Sequence, residues 1–312
     1  MFMNTPNMMV NIGGVQLKNP VLAASGTFGY GEEYSNLLNL NCLGGVVVKG
    51  LSLKPKQGNS PPRLVETPAG LLNAIGLENV GVEEFINSKL PFLKNFKLAV
   101  IANIFGQTVE EYIKVAQSLD EAEGIAALEL NISCPNVKQG GICFGLQPAS
   151  VYEVVAAVRR VSGRPLWVKL SPNVTDIVLI AQSAVDAGAD ALSLVNTFLG
   201  MAIDIRRRAP RLTNITGGLS GPAIKPLALR MVWEVARKIK IPIIGMGGIT
   251  KAEDALEFII AGANAVALGT ANFINPNTAL EVIAGIKEYL VKEKVPDIKQ
   301  LVGSLRLPAG EE

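Results

Sequence analysis

Short apolar runs rich in Val, Ile, Leu and Ala alternate along the chain with longer segments whose apolar residues recur at helical spacing. That alternation is the pattern of strands buried on both faces, each followed by an amphipathic helix that covers the sheet. Eight runs fit the strand description: 20–24, 45–49, 98–103, 126–131, 166–170, 191–195, 241–245 and 265–268. Helical spacing occupies 109–119, 150–161, 176–187, 223–239, 252–261 and, after the eighth run, 278–292. Eight strands with eight crossovers predict an α/β fold, the closed (β/α)8 TIM barrel, whose usual size is about 250 residues plus insertions. No low-complexity linker divides the sequence, so residues 1–312 are read as a single barrel domain.

An N-terminal β-hairpin precedes the first run. Val10–Ile12 and Val15–Leu17 flank Gly13-Gly14, a two-residue turn, and this hairpin is expected to plug the bottom of the barrel. Three connections, 51–80, 132–147 and 197–221, are longer than a strand-to-helix loop needs. Each follows a strand, so all three rise from the C-terminal face, where barrel active sites lie. An open doubly wound sheet would carry a Gly-x-Gly-x-x-Gly fingerprint after its first strand, which Ser25-Gly26-Thr27-Phe28-Gly29 does not supply.

The strand ends project toward that face, and in order they read Ser25, Lys49, Asn103, Asn131, Lys169 and Asn196. Ser25 or Asn103 alone is equally well a polar residue marking where a strand stops. Lys49 and Lys169 directly follow apolar runs, where an unpaired ammonium is costly, and each is read as facing an anionic ligand rather than a structural carboxylate. Gly245-Met246-Gly247-Gly248 follows the seventh run and Gly269-Thr270 the eighth, with Gly221 closing the sixth loop. Glycines at those two strands match the phosphate cradle of barrels; tight turns are their plainer use. Cys134, in Asn131-Ile132-Ser133-Cys134-Pro135-Asn136, sits on the loop after the fourth run, where a thiol is placed to take a proton. Cys42 and Cys143 lack such a context. Asn73-Ala74-Ile75-Gly76-Leu77, within the second loop, reads either as loop packing or as a substrate clamp.

Composition narrows the chemistry. The chain holds no histidine, which removes Ser-His-Asp and Cys-His catalysis and His-ligated zinc. A net charge of +2 from 29 basic and 27 acidic residues gives no footprint for nucleic acid. No apolar run reaches the roughly 18 residues that cross a bilayer, and the first basic residue is Lys18, so no signal peptide or membrane span is expected. Three cysteines make neither a disulfide framework nor the four-thiolate set of an iron–sulfur cluster, and a reducing, cytoplasmic setting is expected. No metal site is expected.

Taken together, Asn131-Ile132-Ser133-Cys134-Pro135-Asn136, the segment from Asn73 to Leu77, Asn196-Thr197, Gly245-Met246-Gly247-Gly248 and Leu268-Gly269-Thr270 resemble the dihydroorotate dehydrogenase family, in the expected order from about Val10 to Leu307. The resemblance implies an FMN-dependent barrel that oxidises (S)-dihydroorotate to orotate in pyrimidine biosynthesis. Cys134 resembles the base of class 1 members, taking the C5 proton while hydride from C6 goes to flavin N5. Lys138-Gln139-Gly140-Gly141-Ile142-Cys143-Phe144-Gly145 is similar to the NAD-linked subclass 1B rather than the fumarate-linked 1A. It further implies FMN held by Ser25, Lys49, Gly50, Asn103, Asn131, Lys169, Val195, Gly221, Gly247, Gly248, Gly269 and Thr270. The pyrimidine would be held by Lys49, Asn73, Ala74, Ile75, Gly76, Leu77, Asn131, Asn196 and Thr197. Val195 stands where the family commonly has Ile, and Glu78-Asn79-Val80-Gly81 replaces Gln-Asn-Pro-Gly.

Subclass 1B also implies a partner subunit carrying FAD and a [2Fe–2S] cluster that reduces NAD+, in a heterotetramer of a homodimer of this chain and two such subunits. This sequence has neither the cysteines for the cluster nor a dinucleotide fingerprint. Three other readings stay open: another flavin barrel reducing a related dihydropyrimidine or dihydrouridine, a cofactor-free barrel lyase using Lys169 as a Schiff base, and a non-catalytic scaffold subunit.

Overall fold

The computed structural model describes residues 5–133 and 144–308. Its centre is a closed ring of eight parallel strands: β1 (Val21–Ala23), β2 (Gly45–Val47), β3 (Ala99–Ile104), β4 (Ala127–Asn131), β5 (Leu166–Lys169), β6 (Ala191–Leu194), β7 (Ile243–Met246) and β8 (Ala265–Leu268). The strands neighbour one another in chain order and β8 closes on β1, the topology that right-handed crossovers produce. Each apolar run predicted as a strand carries one. The seventh is shifted toward its C-terminus, so Gly245 and Met246 lie inside β7 and only Gly247-Gly248 follow it.

Helices Val109–Asp120, Pro148–Arg159, Ile177–Asp186, Lys225–Lys238, Ala252–Ala261 and Thr278–Lys292 cover the ring. Their starts are fixed locally: the Thr108 side chain accepts from Glu111 N, and that of Asp176 accepts from Val178 N and Leu179 N, satisfying donors that a helix leaves free. The first crossover departs from the expected pattern. Between β1 and β2 there is no α-helix but two single 3-10 turns, Glu32–Tyr34 and Leu40–Cys42. Gly26, Gly29 and Gly31 all have positive φ (85°, 55° and 88°), which breaks a helix, and the stacked rings of Phe28 and Tyr34, 4.1 Å apart, pack the segment instead. No helix among the described residues is long and apolar enough to cross a membrane.

The hairpin Val10–Ile12/Val15–Leu17 is present, with Ile12 and Leu17 fully buried. Gly13 lies against the Asp190 carbonyl, just before β6, which puts the turn at the N-terminal end of the ring as expected. At the opposite end the second and sixth loops do more than extend. Leu64–Thr67 and Gly70–Asn73 from one pair with Phe198–Met201 and Thr216–Ser220 from the other in a four-stranded antiparallel sheet over the barrel mouth. Val65, Leu72 and Leu212 form a small apolar core of their own beneath it.

The Glu78-Asn79-Val80-Gly81 turn is held by its own side chains. Buried Asn79 accepts from Gly81 N (2.8 Å) and Ser52 N (3.2 Å) and donates to Ser52 Oγ (2.9 Å) and the Leu77 carbonyl (2.8 Å). Val80 N, a donor that proline would lack, reaches the Tyr30 hydroxyl at 3.3 Å. Burial raises the pKa of that hydroxyl, so it stays protonated.

Candidate active site

Parity along each strand decides which side chains enter the barrel. Asn131 is the Cα partner of Lys169, and Lys169 of Ser193; Asn103 is the partner of Glu129. Partners in a parallel ladder share a face, and these are polar side chains in an apolar wall, so they converge on the interior.

Lys169 is 6% exposed, and its Nζ donates to Ser25 Oγ at 3.1 Å. Ser25 follows β1, four strands around the ring from β5, so the lysine spans the full width of the mouth. Two of its three ammonium donors have no partner among the described residues. Lys49 is set differently. Its Nζ stands 3.9 Å from Glu78 Oε2, a carboxylate that Arg63 holds at 2.6 Å. The lysine predicted to face an anion alone therefore has an acidic neighbour, shared with a better-placed arginine, and is 28% exposed at the rim.

Asn131 and Asn196 meet, Nδ2 of Asn196 lying 3.5 Å from Oδ1 of Asn131, an oxygen that also accepts from Ser133 N at 3.3 Å. Tyr112 supports this end of β4 by donating to the Asn131 carbonyl at 2.7 Å. Across the loop sheet, Asn73 Nδ2 donates to the Gly218 carbonyl at 3.2 Å, and Thr197 packs against the same glycine. Asn173 ties Thr197 down, donating to its carbonyl at 3.0 Å and accepting from Leu199 N at 2.9 Å. Ala74, Ile75, Gly76 and Leu77 continue from that strand half-buried, with Asn59 bonded to the Ala74 and Ile75 carbonyls. Val195 is buried and donates its N–H to the Met246 carbonyl at 3.1 Å.

The glycines fall into two kinds. Gly221, Gly247 and Gly248 have φ of +93°, +124° and +79°, and a Cβ on each would stand 2.7–2.8 Å from Gly70 Cα, Ala228 Cβ and Lys225 Cβ respectively. Turn geometry and packing account for all three. Gly269 has neither cause: its φ lies outside the left-handed region, and a Cβ there would meet nothing nearer than Thr27 at 3.8 Å. Beside it, Thr270 Oγ1 donates to Ser220 Oγ at 2.8 Å. Asn103 supplies a further opening. Its Oδ1 is buried without a partner, and it lies against Gly50, where a Cβ would come within 2.8 Å.

Spare ammonium donors, an orphaned buried acceptor and a glycine with empty space beside it are what a bound polar, anionic group would complete. A flavin mononucleotide, with imide edges and a phosphate, fits that donor set. Cys134 lies outside the described residues, as do Cys143 and most of the extension beginning at Lys138. Cys42 is exposed in the turn before β2, away from the mouth.

The family model for dihydroorotate dehydrogenase matches residues 7–290. The chain belongs to the dihydroorotate dehydrogenase family. It is 58% identical over 305 residues, 98% of its own length and all of the other, to a Geotalea daltonii protein named as the catalytic subunit of dihydroorotate dehydrogenase B (NAD(+)). Proteins of the same name from Pelobacter propionicus (59% over 300 residues, 96% of this chain and 99% of the relative) and Geobacter sulfurreducens (56% over 305 residues, 98% and 100%) are similar to it throughout.

One group within this dihydroorotate dehydrogenase fold escaped the sequence reading. Glu129, 1% exposed, accepts from Asn103 and Ser193 inside the barrel. The signal was present: Glu129 is two residues before Asn131, hence on the same face of the same strand.

Proposed function

We propose that this chain is the catalytic subunit of a cytoplasmic, NAD+-linked dihydroorotate dehydrogenase, oxidising (S)-dihydroorotate to orotate with FMN in the barrel mouth. The observation that carries the reading is Lys169, a buried ammonium laid across that mouth with a serine hydroxyl as its one hydrogen-bond partner among the described residues. Its full-length similarity to catalytic subunits of that name supports the same conclusion.

Each residue then has a task its chemistry suits. Ser25, Lys49, Gly50, Asn103, Asn131, Lys169, Val195, Gly221, Gly247, Gly248, Gly269 and Thr270 would hold FMN. When bound, that group supplies the two-electron acceptor for the hydride from C6 of the substrate. Lys169 places a fixed positive charge where reduction adds negative charge. Asn131, Asn196, Thr197 and the segment Asn73, Ala74, Ile75, Gly76 and Leu77 orient the planar ring through its amide edges, and Lys49 at the rim balances the substrate carboxylate. Cys134 takes the C5 proton, a role no histidine can fill here. The electrons leave through a partner subunit with FAD and a [2Fe–2S] cluster, for which this chain's three cysteines are too few.

The test is direct. The purified chain should be yellow and release FMN, and Cys134→Ala should keep the flavin while slowing its reduction by dihydroorotate about 10²–10⁴-fold. Undiminished stopped-flow reduction in that variant would remove the thiol from the mechanism. Co-purification with an iron–sulfur flavoprotein supports the NAD-linked assembly; turnover of a homodimer with fumarate would reassign the chain to subclass 1A.

A further inference from the structure

Glu129 sits mid-strand in β4 and is sealed from solvent, yet no step above uses it. An interior carboxylate is costly unless donors meet both oxygens. Both are met here. Asn103 Nδ2 donates to Oε1 at 2.6 Å, and Ser193 Oγ donates to Oε2 at 2.7 Å. Because Asn103 belongs to β3 and Ser193 to β6, the carboxylate reaches past the inner face of β5, the strand that carries Lys169. Lys169 is not among its donors; that ammonium points instead to Ser25.

The acceptor dictates how its neighbour turns. A carboxylate only accepts, so the Asn103 amide must present nitrogen to Glu129 and oxygen the other way. That oxygen is the buried atom without a partner, lodged against Gly50 directly after Lys49. An arrangement that spends a buried charge to aim an amide, and then leaves the aimed atom unsatisfied, is built for a group the protein itself does not provide.

We propose that Glu129 is a positioning residue for the bound flavin: it locks the Asn103 amide with its oxygen free to accept, and it holds a fixed negative charge in the interior it shares with Lys169. This inference rests on the flavin reading above. The two lysine- and glutamate-borne charges then act in opposition, Lys169 favouring the electron-rich reduced ring and Glu129 restraining it.

Glu129→Gln separates charge from geometry. Its amide oxygen accepts from Asn103, its amide nitrogen donates to Ser193 Oγ, and a hydroxyl accepts as readily as it donates. Only the charge is lost, so the flavin midpoint potential of the isolated holoprotein, measured by dye-coupled reduction, should rise while FMN affinity holds. Glu129→Leu frees the Asn103 amide and should weaken FMN binding about tenfold, the equivalent of one lost hydrogen bond. Adding Asn103→Ala to it should cost little more, because the two act as one unit.

An unmoved potential in Glu129→Gln, or unweakened FMN binding in Glu129→Leu, overturns the proposal. If the leucine variant does not fold, the potential of the glutamine variant decides alone. A yellow parent chain with either negative result sinks this inference only. A colourless parent that takes up no FMN sinks the flavin reading, and this inference with it.

Discussion

Two parts of the molecule are furnished with similar residues on opposite terms. Behind β7, Lys225 Nζ meets Asp254 Oδ1 at 2.7 Å and Glu257 Oε1 at 2.9 Å. Asp254 also accepts from Thr250 N, Thr250 Oγ1 and Lys251 N, closing the start of the helix Ala252–Ala261. Gly248 there is pressed between Lys225 and the Gly221 carbonyl. In the mouth, among the described residues, Lys169 has a hydroxyl and no carboxylate, the Asn103 oxygen has no partner, and Gly269 occupies space that would take a larger residue. Asp254 and Lys169 are buried alike, at 4% and 6% exposure, but only Asp254 has its partners supplied in full among the described residues. Groups completed by the protein serve the fold, whereas the incomplete ones in the mouth are those the proposed function assigns to a ligand.

Replacing Lys169 by Met breaks the comparison most severely. The chemistry should slow about 10²–10³-fold, the usual cost of removing one charge-stabilising donor, and the flavin midpoint potential should fall. Stability should barely respond, since among the described residues this ammonium bonds to Ser25 and to no carboxylate. Parallel stopped-flow reduction and thermal unfolding decide it: a large loss of melting temperature with unchanged potential would place Lys169 with the structural lysines.

That contrast also marks what the sequence could convey. The eight strands were legible because each is a short, predominantly apolar run buried on both faces, and residues 252–261 and 278–292 emerged as helices with the boundaries read from spacing. The helix-free first crossover was not, because its outcome turns on three glycines and a ring stack rather than on periodicity. The loop sheet was hidden for a different reason: Asn73 pairs with Gly218, and short strands with half-exposed faces carry no local sign of a partner that distant. Within the site, residues at strand ends could be named, but Lys169 and Lys49 looked alike. Only the tertiary surroundings, Ser25 for one and Glu78 with Arg63 for the other, tell them apart.

Lys225→Met should produce the mirror image. The variant should keep its flavin and turnover but lose about 1–3 kcal/mol of stability, the cost of stranding a largely buried carboxylate, reduced because the lysine is partly exposed. The pH dependence sharpens this. Burial pushes the Asp254 carboxyl up, but hydrogen bonds from Lys225 and Thr250 outweigh it and hold the pKa below the ordinary 3.8. A depressed carboxylate contributes stability above its unfolded pKa and loses it as pH falls through the folded value. Burial likewise pulls the Lys225 ammonium down, yet its two carboxylates leave it above 10.5, so its contribution fades only in strong alkali. The gap between parent and variant should therefore be widest near neutrality and close as pH drops below about 4. Urea titrations across that range showing a constant gap would mean that the pair is not what the substitution removed.

The smallest expected effect is the most discriminating one. Gly269→Ala meets no atom nearer than 3.8 Å and needs no left-handed backbone, so the apoprotein should be as stable as the parent, or up to about 0.4–1 kcal/mol more stable through a stiffer unfolded chain. If the space beside Gly269 admits a phosphate or ring edge to the backbone, the same methyl should weaken FMN binding about tenfold, or ~1.4 kcal/mol. Gly248→Ala supplies the control. With φ at +79° and Lys225 Cβ at 2.7 Å, it should destabilise the apoprotein itself. Apoprotein melting should thus fall for Gly248→Ala and hold for Gly269→Ala. A Gly269→Ala chain that binds FMN unchanged would leave that glycine without a reason in the fold or in the site.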